Sequence, residues 1–201
     1  MKKIYNWILS WAHSPYGSIA MFVHAFSESV FFPVPPDVML IALAVGKPKK
    51  AFKFAAICLA GSVLGAVVGY SIGHYIWLNA AGEFTSFANF FFDNIPGFNV
   101  ELYDSIKELF NQYNFWIIFT AGFTPIPYKL FTITSGVFGI NFFMFMMASI
   151  ISRGARFFLL AGLIWKYGPG IKTFIDKNFN LVAIGITVAV LLGFVAIKYL
   201  I

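Results

Sequence analysis

Five ionisable residues lie within or beside otherwise apolar runs: Glu28, Asp37, Lys129, Arg153 and Arg156. A charge at membrane depth is costly unless it faces protein or water, and it commonly marks a path for ions, protons or polar headgroups. Arg153 and Arg156 stand three residues apart, on one face of a helix. Two guanidiniums in such a place need a carboxylate, a phosphate or water. Because arginine grips phosphate with two parallel hydrogen bonds, an anionic lipid headgroup is a suitable ligand. The plainer alternative is that both arginines neutralise Glu28 and Asp37. The two readings are compatible, since a phosphate can compete for the same cations. Glu28 could carry a proton, pair with Arg153 or Arg156, or stay neutral against a backbone carbonyl. His24, four residues before it, could share its proton.

Little else in the chain points to chemistry. Ser27 and Ser29 lack a catalytic partner. His13, His24, His74 and Cys58 have no metal-ligand spacing. With no nucleophile–base pair in view, neither an enzyme, a metal nor a cofactor is expected. Of 201 residues, 60% are hydrophobic and 11% charged, against roughly 25% charged in soluble domains. Mean hydropathy is +0.81. This is the composition of an integral membrane protein. The net charge of +6 then reflects lysines at the membrane surface rather than a nucleic-acid partner. Cys58, as a single cysteine, excludes an intramolecular disulfide.

The elements that must position the five residues follow from apolar length and proline. Residues 1–14 read as an interfacial helix, with Trp7 and Trp11 at headgroup level, and lack the apolar core and cleavage site of a signal peptide. Spans are expected at 54–78, 141–165 and 180–200. Two other stretches, 15–46 and 114–140, are interrupted by Pro33, Pro35 and Pro36 and by Pro125 and Pro127. Prolines this dense break a helix. Broken backbone at membrane depth survives only inside protein or beside a hydrated cavity. Both stretches are therefore predicted to be re-entrant hairpins. The segment 80–113 is polar and acidic. With a cytoplasmic N-terminus this topology puts nine lysines inside, including the cluster Lys47, Lys49, Lys50 and Lys53, and two outside, as the positive-inside rule requires. Gly61, Gly65, Gly69 and Gly73 form a small-residue ridge for close helix packing.

The interrupted stretches also resemble each other. Phe31-Phe32-Pro33-Val34-Pro35-Pro36-Asp37 aligns with Phe123-Thr124-Pro125-Ile126-Pro127-Tyr128-Lys129 at an offset of 92 residues. Each copy continues into a short apolar helix and then a full span. Entered from opposite sides, the copies make an inverted-topology repeat, an arrangement that places transporter sites at the repeat interface near midplane. Asp37 and Lys129 fall at equivalent positions, so the tips could form a buried ion pair or flank a polar cavity.

These residues are similar to those of a known family. Glu28, Phe32-Pro33-x-Pro35-Pro36-Asp37, the ridge ending Gly69-Tyr70-x-x-Gly73, and Phe123-x-Pro125-x-Pro127-x-Lys129 with Gly136 resemble the DedA family, also called the SNARE-associated Golgi or VTT-domain group, in its short bacterial branch. The resemblance covers roughly residues 20–165. It implies re-entrant hairpins, a bacterial inner-membrane location and movement of phosphatidylethanolamine or undecaprenyl phosphate between leaflets, with dependence on the proton-motive force. It also implies a functional acidic pair at Glu28 and Asp37 and a functional base at Lys129. Many members carry an arginine immediately before the phenylalanine of the second motif. Gly122 stands there in this chain, and Arg153 and Arg156 are expected to substitute from the next helix.

The expectation is thus an all-α polytopic membrane protein that moves a lipid headgroup between leaflets. Lys129, Arg153 and Arg156 would bind the phosphate, while Glu28 and Asp37 would couple protons. The partners would be an anionic or zwitterionic lipid, protons and a second copy of the chain. Two rivals stand beside it: a proton-coupled antiporter of small cations or drugs, which would bind substrate at Glu28 and Asp37, and a scaffold whose polar residues are structural.

Overall fold

In the computed structural model, residues 14–94, 99–124 and 127–168 are described. They form seven α-helices: α1 (Gly17–Glu28), α2 (Asp37–Gly46), α3 (Ala51–Trp77), α4 (Ser86–Asn94), α5 (Val100–Phe123), α6 (Tyr128–Val137) and α7 (Phe142–Tyr167). A 3-10 turn, Pro48–Lys50, joins α2 to α3. The described residues are all-helical, and their extended pairing is a single bridge between Leu78 and Phe84. Pro125, the span expected at 180–200, and all but the last residue of the interfacial segment expected at 1–14 lie outside the described residues.

The first break falls where the prolines demand it. The carbonyl of Ser27 collects the amides of Val30, Phe31 and Phe32 at 3.1, 2.8 and 2.8 Å, which closes α1. Pro33, Pro35 and Pro36 offer no amide and cannot extend a helix. Helix resumes at Asp37, with the Leu40 amide on the Pro36 carbonyl at 2.9 Å. The second break separates Phe123, the end of α5, from Tyr128, the start of α6. The boundary expected near 113 appears as a kink, not a stop. Tyr113, at φ −115° and ψ 17°, is a non-helical residue inside α5, so the acidic segment runs on into the apolar one as a single bent helix. Asn99 and Asn141 cap α5 and α7 by accepting from the amides of Leu102 and Met144 at 2.8 and 3.0 Å, the usual role of asparagine before a helix.

Among the described residues two helices are long and apolar enough to cross a membrane: α3 with the turn before it, from Pro48 to Trp77, and α7. Helix α3 is the axis of the molecule, packed against α1, α6 and α7. Its glycine ridge is what lets two of them in. A Cβ at Gly61 or Gly65 would strike the carbonyl oxygens of Phe22 and Phe26 on α1; one at Gly69 or Gly73 would strike Thr132 and the Ile133 carbonyl on α6. From α6, Gly136 returns the contact against the Tyr70 carbonyl. One stripe therefore seats a helix from each interrupted stretch. Helix α7 likewise packs against α5, and also against α2. Each of α3 and α7 thus holds one helix from each interrupted stretch.

Apolar burial is divided into two clusters. One gathers Met21, Met39, Leu40, Phe54, Phe157 and Ile164; the other gathers Trp77, Tyr103, Ile118, Tyr128, Phe138 and Phe145. Tyr103 anchors the second by donating to the Val137 carbonyl at 2.6 Å. Burial, helped by the Asp104 carboxylate, pushes its phenol up to about 12, so it remains a donor at any physiological pH. Between the clusters, on α3 and α7, lie Ser62, Arg153 and Arg156. Arg153 is eleven residues into the 26 of α7, about 16 Å along it. The charged layer is therefore near mid-length of the helices that can span.

Candidate functional site

Two ion pairs form the floor of the charged layer. Arg153 Nη2 donates to Glu28 Oε2 at 2.7 Å, and its Nε donates to Ser62 Oγ at 2.9 Å. Ser62 Oγ lies 3.0 Å from Ser29 Oγ. The guanidinium is sandwiched between the rings of Tyr128 and Phe157, 4.7 Å from each centroid. Arg153 is only 3% exposed. A buried guanidinium needs this much compensation: a carboxylate, a hydroxyl and two π faces together replace its water.

Arg156, one turn on, grips Asp37 as a fork, Nε to Oδ1 at 2.8 Å and Nη2 to Oδ2 at 2.9 Å. Its third nitrogen, Nη1, donates to the carbonyls of Phe123, at 3.0 Å, and Thr124. These are terminal carbonyls of α5, and a cation at a helix C-terminus is favoured. Asp37 sits in the first turn of α2, where a carboxylate is favoured for the converse reason. Arg156 therefore fastens the start of α2 to the end of α5 and so ties the two breaks together.

Lys129 makes the reciprocal tie. From the first turn of α6, its Nζ donates to the Phe31 carbonyl at 3.0 Å and weakly to the Phe32 carbonyl at 3.5 Å. Thr132, one turn on, donates to the Ser29 carbonyl at 2.8 Å. Of the two arrangements open for Asp37 and Lys129, the ion pair is not formed; both flank a cavity. His24 does not share a proton with Glu28. Its Nε2 bonds the Val34 carbonyl at 3.0 Å, and its ring meets Phe32 edge-on, so it braces the first break.

The cavity lies between the breaks and holds about 200 Å³. The first break lines it with Phe32, Pro33 and Pro35, the second with Thr124 and Pro127. Glu28, Asp37, Lys129, Arg153 and Arg156 complete the wall. All five charged residues singled out by sequence thus converge on one cavity, although α1, α2, α6 and α7 each supply them separately. Gly122 explains how the arginines reach it. A Cβ there would strike Ser152 Oγ and lie 3.6 Å from Arg153 Cδ, so α5 comes against α7 where a larger residue could not. Sequence reasoning missed Ser62, Tyr128, Phe157 and Thr124, which are neutral residues in apolar runs. The available signals were weak: Ser62 sits inside the glycine ridge, and Tyr128 and Thr124 sit inside the second proline motif.

Among the described residues no group of three histidine, cysteine or carboxylate side chains could hold a metal.

Described residues that are helical throughout, with two apolar helices of spanning length and a charged cavity between two breaks at their mid-length, define a membrane protein of a recognisable kind. The chain belongs to the VTT-domain, or DedA, family, whose VTT domain matches residues 32–166. A protein of Haemophilus influenzae, described as uncharacterized, is 31% identical over 197 residues, covering 97% of this chain and 96% of its own. A protein of Histophilus somni, described as an uncharacterized HI0703 homolog, is 30% identical over 196 residues, covering 97% of each. No solved structure matches the chain significantly.

Proposed function

We propose that this protein is a membrane lipid transporter that moves a phospholipid or polyprenyl-phosphate headgroup between leaflets, with the cavity between the breaks as the headgroup site. The observation that carries this reading is the convergence of three cations and two carboxylates on a cavity of about 200 Å³, formed by broken backbone at mid-length of spanning helices. Such breaks, with short helices starting at them, are how transporters present helix N-termini to a substrate. Shared packing of α1 and α6 on α3, and of α2 and α5 on α7, supports an inverted repeat of two re-entrant hairpins. Basic residues at the α2–α3 turn and near the end of α7, with the acidic stretch between, favour a multi-pass orientation with a cytoplasmic N-terminus, in a bacterial inner membrane. The reading needs lipid and, through Glu28 or Asp37, protons as partners; it involves no covalent chemistry. Cation antiport is less favoured because both carboxylates are already occupied by arginines.

The test is translocation of headgroup-labelled lipid in proteoliposomes, with and without a pH gradient, for wild type and Lys129→Ala. Transport by the wild type and its loss in a monodisperse variant is the expected result. Absence of transport for every phospholipid and polyprenyl phosphate tried would sink the proposal.

A further inference from the structure

The five charges of the cavity are not equally available. Arg153 has Glu28, Ser62 and two rings; Arg156 has both oxygens of Asp37 and two carbonyls. Lys129 alone among these cations has no carboxylate and is held by carbonyl oxygens. Three cations against two carboxylates leave one positive charge, and it resides on Lys129. Two further features add to it. Helix α6 begins at the cavity, and its N-terminal end favours an anion. Thr124, 1% exposed and lining the cavity, has an Oγ1 without a hydrogen-bond partner among the described residues. A buried hydroxyl without a partner is costly, and a ligand oxygen in the cavity would complete it.

Resting on the headgroup-site reading above, we infer that the cavity seats one negative charge, that of a phosphodiester headgroup, held by the Lys129 ammonium, the Thr124 hydroxyl and the start of α6, while Arg153 and Arg156 stay paired. A phosphodiester carries one charge at any pH near neutrality. A phosphomonoester gains a second with a pKa of about 6. That second charge would meet Glu28 and Asp37 across the cavity with no free cation to offset it. The site therefore selects diester over monoester headgroups, and the selection appears only when the monoester is doubly ionised.

Binding to the full chain in detergent tests this, separately from any transport assay. The probes are dihexanoyl phosphatidylglycerol as diester, dihexanoyl phosphatidic acid as monoester, and inorganic phosphate, each titrated at pH 5 and pH 8. The protein's own groups around the cavity are His24 and Glu28 on α1, Asp37 on α2, the buried Cys58 on α3, Tyr128 and Lys129 on α6, and the two arginines on α7; α5 presents none. The diester arm reports any change among them. The expected result is diester affinity that holds between the two pH values, and monoester affinity that matches it at pH 5 and falls by roughly tenfold at pH 8, the scale of one uncompensated charge. Lys129→Gln should remove binding of both lipids. Thr124→Val should weaken both while leaving the melting temperature unchanged or raised, because the hydroxyl it removes bonds nothing described. Monoester binding that tightens at pH 8, or diester binding that survives Lys129→Gln, would overturn the assignment. So would binding of inorganic phosphate without either lipid, which would make this a soluble-anion site. Diester binding without translocation would leave the assignment standing and remove the transport proposal; translocation with the opposite charge preference would do the reverse.

Discussion

Charged residues in an apolar chain are easy to find by reading, but their partners are not. Glu28, Asp37, Lys129, Arg153 and Arg156 stand out because so few charges interrupt the hydrophobic runs. The alignment at an offset of 92 residues put Asp37 opposite Lys129, and equivalence was open to being read as contact. In the fold, equivalent positions face related but different partners. Asp37 takes the fork of Arg156, and Lys129 takes the carbonyls of Phe31 and Phe32. The distinction is measurable by double-mutant cycles on stability in detergent. Asp37→Asn and Arg156→Gln should each cost about 3–5 kcal/mol, the usual consequence of stranding one member of a buried pair. Together they should cost much less than their sum, a coupling of at least about 1 kcal/mol. The Asp37→Asn, Lys129→Gln cycle should be additive within about 0.5 kcal/mol. Equal coupling in both cycles would contradict the pairing described.

At the scale of elements, prolines and apolar length located the first break, the second break and the long apolar helices α3 and α7 to within a few residues. These signals are local: a missing amide or a run of uncharged side chains acts wherever it lies. The continuity of α5 through Tyr113 was not legible, because the change from acidic to apolar composition resembles a boundary although the backbone only bends there. Nor could the glycine ridge announce that it serves α1 and α6 in succession, since which helix lies on a ridge depends on tertiary contact. That division makes a prediction. Gly65→Ala puts a methyl into the Phe26 carbonyl and the Ser29 side chain, and Gly73→Ala puts one into the Ile133 backbone; backbone cannot step aside as a side-chain tip can. Each should lower stability by about 1–3 kcal/mol. Gly154→Ala, whose added methyl would meet only Leu59 Cδ2 at 3.5 Å, should be neutral or gain up to about 1 kcal/mol from helix propensity. Thermal unfolding followed by circular dichroism checks all three, and a Gly73→Ala protein as stable as Gly154→Ala would show that α6 is not seated on the ridge.

For the whole molecule, the notable feature is that the breaks are tied to each other by two cations that line the cavity between them. Arg156 joins Asp37 to the end of α5, and Lys129 joins the start of α6 to the end of the Phe31–Phe32 turn. An anion that reaches Lys129 must compete with the carbonyls of Phe31 and Phe32, and in doing so it loosens one of the two ties. Ligand binding and separation of the breaks are then one event, which is what a transporter requires if a headgroup is to enter from one side and leave by the other. If so, fastening the breaks should stop transport without harming the fold. Phe32 and Pro127 both line the cavity, one from each break. In a Cys58→Ala background, Phe32→Cys with Pro127→Cys can be bridged by bifunctional thiosulfonates of graded length. The shortest reagent that bridges should reduce headgroup translocation to the level of empty liposomes, a reductant should restore it, and either single cysteine should be insensitive. Longer reagents should restore transport progressively as they let the breaks part. Full translocation with the shortest bridge in place would mean that the headgroup crosses without the breaks separating, along the outside of a closed cavity, and the ties at Arg156 and Lys129 would then be structural clasps alone.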